Sequence, residues 1–198
     1  QGAMGVVLSH EVQGLDELKT NIIMVKDTTK ALGYIARYYK NKFDVTVIGI
    51  TGSNGKTTTK DMAAQIIETT YRTYKTQGNY NNQIGLPYTV LHMPEDTQKL
   101  VLEMGQDHMG DIHLLSTLAK PKLAVITLIG ESHLEFFGTR DKIAEGKLQI
   151  VDGLVPGGEL IAPADKIINA YLPENQKITR FDADSDIHIV DLYEYKDA

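Results

Sequence analysis

The sequence predicts an α/β fold, a mainly parallel sheet flanked by helices, with a short β-rich segment at its start. Three observations predict it. Short apolar runs alternate with segments of helical period, the ordering of a parallel sheet. Several of those runs are apolar on both faces, as strands buried beneath helices on either side should be. One run, VTVIGI at residues 45–50, leads through a glycine-containing loop into a segment of helical spacing.

Taken in order, GVVLS (residues 5–9) and NIIMV (21–25) read as strands. Asp27 and Thr28 offer N-caps for a helix that carries Ala31, Leu32, Ile35, Ala36 and Tyr39 inward. After VTVIGI and its loop, a second helix places Met62, Ala63, Ile66 and Ile67 on one face. KLVLEM (99–104), LAVITLI (123–129) and GELIA (158–162) are the remaining strands, with helices over about 111–119 and 141–152 between them. The tail, KITRFDADSDIHIVDLYEY, has β-rich runs around an Asp/Ser turn and predicts a hairpin or edge strands. The first 26 residues hold two strand-like runs and no helix to cover them, and the last run stops at Tyr195 without a closing element. The chain therefore reads as a piece of a larger protein.

Composition sets outer limits. A chain of 198 residues, 42% hydrophobic and 23% charged, suits one domain, or one domain and a fragment of another. A net charge of −6 argues against a general nucleic-acid binder, which carries a basic patch for phosphates. The absence of cysteine rules out disulfides and thiolate metal sites, and fits a reducing compartment. No apolar run approaches the roughly 18–20 residues that span a bilayer. The start, QGAMGVVLSHEV, lacks the features of a signal peptide. The expectation is a cytoplasmic protein with no membrane insertion.

Residues 49–58 read GITGSNGKTT. The usual phosphate-binding loop has its first glycine five residues before the Gly-Lys pair; that position is Ile50 here, and the nearest glycines are Gly49 and Gly52. The context is still that of an anion site: a buried strand, a turn rich in backbone N–H groups, and a helix N-terminus behind it. Lys56 reaches terminal phosphates from such a loop, and the Thr57 hydroxyl is a ligand for Mg²⁺. Asn54-Gly55 could instead close a hairpin, but a hairpin requires a strand next, and TTTKDMAAQIIE has helical spacing.

Ligands of open parallel sheets bind outside the carboxyl ends of the strands. The loop lies at the end of VTVIGI, Glu103 at the end of KLVLEM, and His133 just beyond LAVITLI, so all three are expected on one edge. Glu103 suits a hard cation such as Mg²⁺, or is a strand-end carboxylate in solvent; His133 acts on the cation through water, or is a loop packing residue. TQGNYNNQIGLP (76–87) sets three asparagines around two glycines. It is either a turn-rich loop or a source of amide contacts for a polar substrate, and both readings stand. Lys147, in the helix-period run EGKLQIV, reads by composition as a solvated lysine.

Together these residues resemble the Mur ligase family, ATP-dependent amide-bond ligases of peptidoglycan synthesis. The family loop TG[ST]xGK[ST] is matched by TGSNGKT at 51–57, which accounts for the glycine spacing. GNYNNQIGLP, LEMGQDHMGDI and SHLEFFGT resemble the members that add D-alanyl-D-alanine to UDP-N-acetylmuramoyl-tripeptide. The resemblance implies that Thr51, Gly52, Ser53, Asn54, Gly55, Lys56, Thr57 and Thr58 hold ATP. It implies Mg²⁺ ligation by Thr57 and Glu103, a second Mg²⁺ at His133, and a carbamylated lysine at Lys147 that helps hold the metal. Asn81 and Asn82 fall where the family contacts the UDP-sugar. One departure concerns adenine: where Asn-Ala-Asp is expected, this chain reads Pro163-Ala164-Asp165. The implied chemistry is γ-phosphoryl transfer to the tripeptide carboxylate, then attack of the dipeptide amine on the acyl phosphate.

The resemblance also implies three domains, of which residues 1–26 are the end of the UDP-substrate-binding domain and 27–198 the central ATP-binding domain. The C-terminal ligase domain is absent from this sequence, so the chain is expected to be inactive alone, and a monomer. An ordinary P-loop kinase or NTPase would share the loop but not the asparagine cluster or the His133 segment. An ATP-binding module without catalysis would not need Lys56, Thr57 and Glu103 together.

Overall fold

The computed structural model describes residues 3–14, 20–131, 137–182 and 186–187. Six strands form one parallel sheet: β3 (Thr46–Thr51), β4 (Thr73–Lys75), β5 (Lys99–Glu103), β6 (Leu123–Ile126), β7 (Glu159–Pro163) and β8 (Ile178–Phe181), in the order β4-β5-β3-β6-β7-β8. A separate parallel pair, β1 (Gly5–Leu8) and β2 (Asn21–Met24), precedes it. The chain leaves β3 towards the β4 edge, returns through β5, and then crosses β3 to reach β6. This reversal of direction opens a crevice at the carboxyl ends of β3, β5 and β6, the place where open α/β sheets bind ligands.

The two-residue period of the strands sorts the core. Val47, Leu100, Leu102, Ala124, Ile126, Leu160 and Ala162 point to the larger of two apolar clusters, while Ile48, Ile50 and Val101 point to the other. The larger face is covered by α1 (Thr28–Lys40), α3 (Gly85–Leu91), α4 (Asp111–Ala119) and α5 (Arg140–Leu148), the last running on into a 3₁₀ turn at Gln149–Gly153. The opposite face is covered by α2 (Lys56–Glu68), through Ala64 and Ile67. A short helix, α6 (Lys166–Asn169), follows β7.

The α/β class, the parallel sheet and the strand runs agree with the sequence, as does the Asp27 cap, whose Oδ1 accepts from Lys30 N at 3.0 Å. Two helix faces differ. In α1 the inward residues are Gly33, Ala36 and Lys40, and Ile35 is 48% exposed. In α2, Met62 and Ile66 are 59% and 68% exposed, and the buried residues are Lys60 and Ala64. The helix carries two stripes of i, i+4 spacing, and period alone does not say which one turns inward. Tertiary packing selects the Lys60–Ala64 stripe, whose lysine reaches an acidic partner beneath the helix. β4, α3 and α6 had no clear periodic signal because each is seven residues or shorter. The tail supplies an edge strand, β8, paired parallel to β7; the rest of the expected hairpin lies largely outside the described residues.

Candidate functional site

The site is built on the junction of β3 and α2. Gly55 caps α2 at φ 79°, a left-handed conformation that favours glycine, and it offers no side chain to the first turn. By contrast α1, α5 and α6 have side-chain caps from Asp27, Thr139 and Asp165. The first N–H groups of α2 are thus left to an external acceptor. The loop is pinned from the β6 side. Thr127 Oγ1 donates to Asn54 O at 2.5 Å, Ser53 N donates to Leu128 O at 2.8 Å, and Ser53 Oγ accepts from Gly130 N at 2.9 Å. Gly52 packs so closely on Thr127 that a Cβ would stand 1.9 Å from its hydroxyl.

Lys56 begins α2 and its Nζ donates back to Gly52 O at 3.0 Å, inside the curl of the loop. Beside it, Thr57 Oγ1 donates to Glu103 Oε2 at 2.9 Å. Glu103 ends β5, buried; its other oxygen accepts from Asn81 Nδ2 at 2.9 Å, and its backbone N–H donates to Thr76 Oγ1 at 3.0 Å. Thr51 Oγ1 donates to Met104 O at 2.9 Å, tying the ends of the two strands together. The loop, Thr57 and Glu103 therefore meet at one end of the sheet, as their strand-end positions predict. Glu103 is not a solvated carboxylate.

Sequence reasoning missed Lys60. Its buried ammonium lies 4.0 Å from Glu103 Oε2 and 3.4 Å from Asp61. Its place one helical turn after Lys56 was the available signal.

The asparagine-rich segment divides. Asn82 Oδ1 accepts from Ile84 N at 3.1 Å and Gly85 N at 2.9 Å, closing the turn that starts α3, so the local account holds for Asn82. Asn81 reaches across to Glu103. Both border a cavity of about 490 Å³ whose walls include Lys56, Gln83, Gly105 and Gln106. This is large enough for a polar small-molecule group beside the loop.

Lys147 departs most from its composition. It is 2% exposed, on the inner face of α5, and its Nζ donates to Gln106 Oε1 at 3.2 Å. Burial, with a further contribution from the Lys56 charge, lowers its pKa to about 8. Such an amine has a substantial neutral fraction near neutral pH, the form that is nucleophilic. His133 lies outside the described residues, and among the described residues no cluster of three or more His, Cys, Asp or Glu stands ready to hold a metal. The donors present, one carboxylate and one hydroxyl, are a partial set of the kind that Mg²⁺ completes with water and phosphate oxygens.

At the adenine position of the resemblance, Pro163 ends β7 and its carbonyl accepts from Arg180 Nη1 at 2.9 Å. Asp165 Oδ1 caps α6 through Ile167 N at 3.1 Å, and its other oxygen pairs with Arg140. Both groups are engaged in holding the end of the sheet.

Residues 50–197 match the Mur ligase middle domain. The chain is 54% identical over 152 residues to UDP-N-acetylmuramoyl-tripeptide--D-alanyl-D-alanine ligase of Bacillus subtilis, an alignment covering 76% of this chain and 33% of that protein. The Escherichia coli protein of the same name is 36% identical over 143 residues, covering 72% and 32% respectively. The chain thus spans about a third of the length of these relatives. Among solved structures, MurF from Acinetobacter baumannii superposes with a TM-score of 0.84 at 32% identity, covering 92% of this chain and 40% of that one. MurF ligase from Thermotoga maritima in complex with ADP gives 0.83 at 32% identity, covering 91% and 42%.

Proposed function

This chain belongs to the Mur ligase family through its middle domain, and on that premise we propose that it is the ATP-handling part of the ligase that joins D-alanyl-D-alanine to UDP-N-acetylmuramoyl-tripeptide. The observation that carries the reading is the meeting of Thr57 and Glu103, 2.9 Å apart, at the uncapped N-terminus of α2. A hydroxyl, a buried carboxylate and a lysine at a helix N-terminus without a side-chain cap form a receptor suited to a metal-bound polyphosphate. The relatives named for this reaction, and a structural neighbour solved with ADP, support it.

The loop N–H groups and the Lys56 ammonium bind the β- and γ-phosphates and hold the γ-phosphorus in line with an incoming carboxylate. Thr57 and Glu103 hold Mg²⁺, which when bound neutralises phosphate charge. Lys60 backs Glu103 from 4.0 Å, and Asn81 fixes its second oxygen. A carboxylate oxygen of the tripeptide bonds to the γ-phosphorus as the bridging P–O bond breaks and ADP departs. The dipeptide amine then attacks the acyl carbon, phosphate leaves, and the amine proton passes to solvent or a base. Little covalent help is required of the protein; positioning and charge neutralisation suffice. Buried Lys147, with its depressed pKa, is suited to capture CO₂ as a carbamate near this metal. The enzyme acts in the cytoplasm as a monomer, and residues 1–26, whose β1–β2 pair stands apart from the six-stranded sheet, belong to the unit that holds the UDP-sugar.

Titration calorimetry of ADP with and without Mg²⁺ tests the reading, together with a product assay on the longer protein that contains this segment. Mg²⁺-dependent ADP binding to the chain is expected, with pentapeptide product formed by the longer protein. Binding indifferent to Mg²⁺, or no product from the longer protein with all three substrates, would overturn it.

A further inference from the structure

The side of the cavity nearest α5 contains a buried polar atom that no part of the mechanism above uses. Gln106 lies in the segment between β5 and α4, 5% exposed. Its Oε1 accepts from Lys147 Nζ at 3.2 Å, and this contact fixes which end of the amide faces the lysine. Its Nε2 is buried and, among the described residues, has no acceptor. Buried amide donors are rarely left in this state, because the group has lost its water and gained nothing in exchange. Gly146, the neighbour of Lys147 on α5, makes the arrangement sterically feasible: a Cβ there would stand 1.8 Å from Gln106 Nε2. The helix thus omits a side chain where the unpaired N–H sits.

We propose that Gln106 is the receptor for a carbamate on Lys147, its amide pairing with the modified lysine through both ends at once. The inference rests on the carbamate reading above and deepens it by naming the group that recognises the product. The Lys147 Nζ lone pair bonds to the carbon of CO₂, one C–O π pair moves onto oxygen, and one Nζ proton leaves to solvent. The product is an N-alkyl carbamate anion that keeps a single N–H. That N–H continues to donate to Gln106 Oε1. One carbamate oxygen always lies cis to the N–H across the C–N bond, and this oxygen meets the Nε2–H of the same amide. Two antiparallel hydrogen bonds close an eight-membered ring, the pairing that primary amides make with one another. The free amine engages one end of the amide; the carbamate engages both ends and leaves its second oxygen free. Gln106 is on this account a positioning residue, acting on phosphoryl transfer only through Lys147.

The test uses the full chain in ¹³C-labelled bicarbonate, with the carbamate resonance read by NMR in the parent, Gln106→Glu and Gln106→Leu. Glutamate keeps an oxygen for Nζ and nearly the same volume but replaces the N–H donor with an anion. Carbamate occupancy is expected to fall at least tenfold in both variants at equal CO₂, with melting curves showing that they are folded. Occupancy equal to the parent in either folded variant overturns the role of Gln106 while the carbamate reading stands. A parent that shows no carbamate at saturating CO₂ overturns both. Should the variants not fold, the parent still decides: its Gln106 side-chain N–H signals must shift when CO₂ is added, and signals that do not move overturn the proposal.

Discussion

Two lysines, close enough for the charge of one to bear on the other, sit under opposite conditions. Lys56 sits where local structure makes the site: seven consecutive residues supply the turn, the helix N-terminus and the charge, and the lysine is only partly buried. Lys147 sits where distant packing makes it, buried on α5 and paired with a residue 41 positions earlier whose amide nitrogen, among the described residues, has no acceptor. Around Lys56 the polar side chains satisfy one another, with Thr57, Asn81 and Thr76 all engaged on Glu103. The comparison separates a corner built from consecutive residues and paired polar groups from one in which a charge is withdrawn from water. Burial is what lowers the Lys147 pKa to about 8, and Lys56 assists it.

The largest effect is expected at the first region. Lys56→Ala should weaken Mg²⁺-ADP binding by about 100-fold, since a charge-assisted hydrogen bond contributes about 1.5–3 kcal/mol, while the melting temperature stays near that of the parent. Calorimetry with unchanged affinity would remove the phosphate-receptor reading. The second region should respond in stability rather than affinity. Gly153 ends the 3₁₀ turn after α5 and packs on α4 so tightly that a Cβ would lie 2.1 Å from the Ser116 carbonyl oxygen. Gly153→Ala should therefore cost about 1–3 kcal/mol in urea unfolding, because backbone cannot move aside as a flexible side chain can. A neutral outcome would mean that the α4–α5 corner is looser than the comparison requires.

A smaller effect is expected for Glu103→Gln. The isosteric amide keeps a carbonyl oxygen for Thr57 but loses the charge, so the enhancement of ADP affinity by Mg²⁺ should fall about tenfold, or ~1.4 kcal/mol. An enhancement equal to that of the parent would remove Glu103 from the metal site.

A last effect sharpens the role of burial itself. Lys40 is buried like Lys147, and its pKa is also lowered to about 8, first by burial and then by Arg37 and Lys120, but its Nζ donates to a backbone carbonyl, Ala119 O, at 2.8 Å. Between about pH 8 and the model-peptide value of 10.5, folded Lys40 has lost its proton while unfolded Lys40 keeps it. Stability rises with pH wherever the unfolded state binds more protons, so the parent should gain on Lys40→Met as pH rises through this window. Urea midpoints for both proteins at about pH 7 and about pH 9.5 measure it. A constant difference between the two would show that burial is not penalising this ammonium.

The sequence alone determined the elements whose signal is local. The strand runs of β3, β5, β6 and β7, the Asp27 cap and the limits of α4 were legible because a two-residue or 3.6-residue period, or a single capping side chain, specifies each of them. The strand–loop–helix junction around residues 51–57 was legible for the same reason, as its parts are consecutive. Composition read Lys147 as solvated, and the structure buries it. Tertiary structure decided everything that depends on which surfaces meet. It selected the Lys60–Ala64 stripe of α2 over Met62–Ile66, turned Ile35 outward, assigned Asn82 to a turn and Asn81 to Glu103, and placed Gln106 against Lys147. The physical reason is that desolvation and pairing belong to a three-dimensional neighbourhood. The same lysine is an exposed cation or a nucleophilic amine according to what the rest of the chain stacks around it.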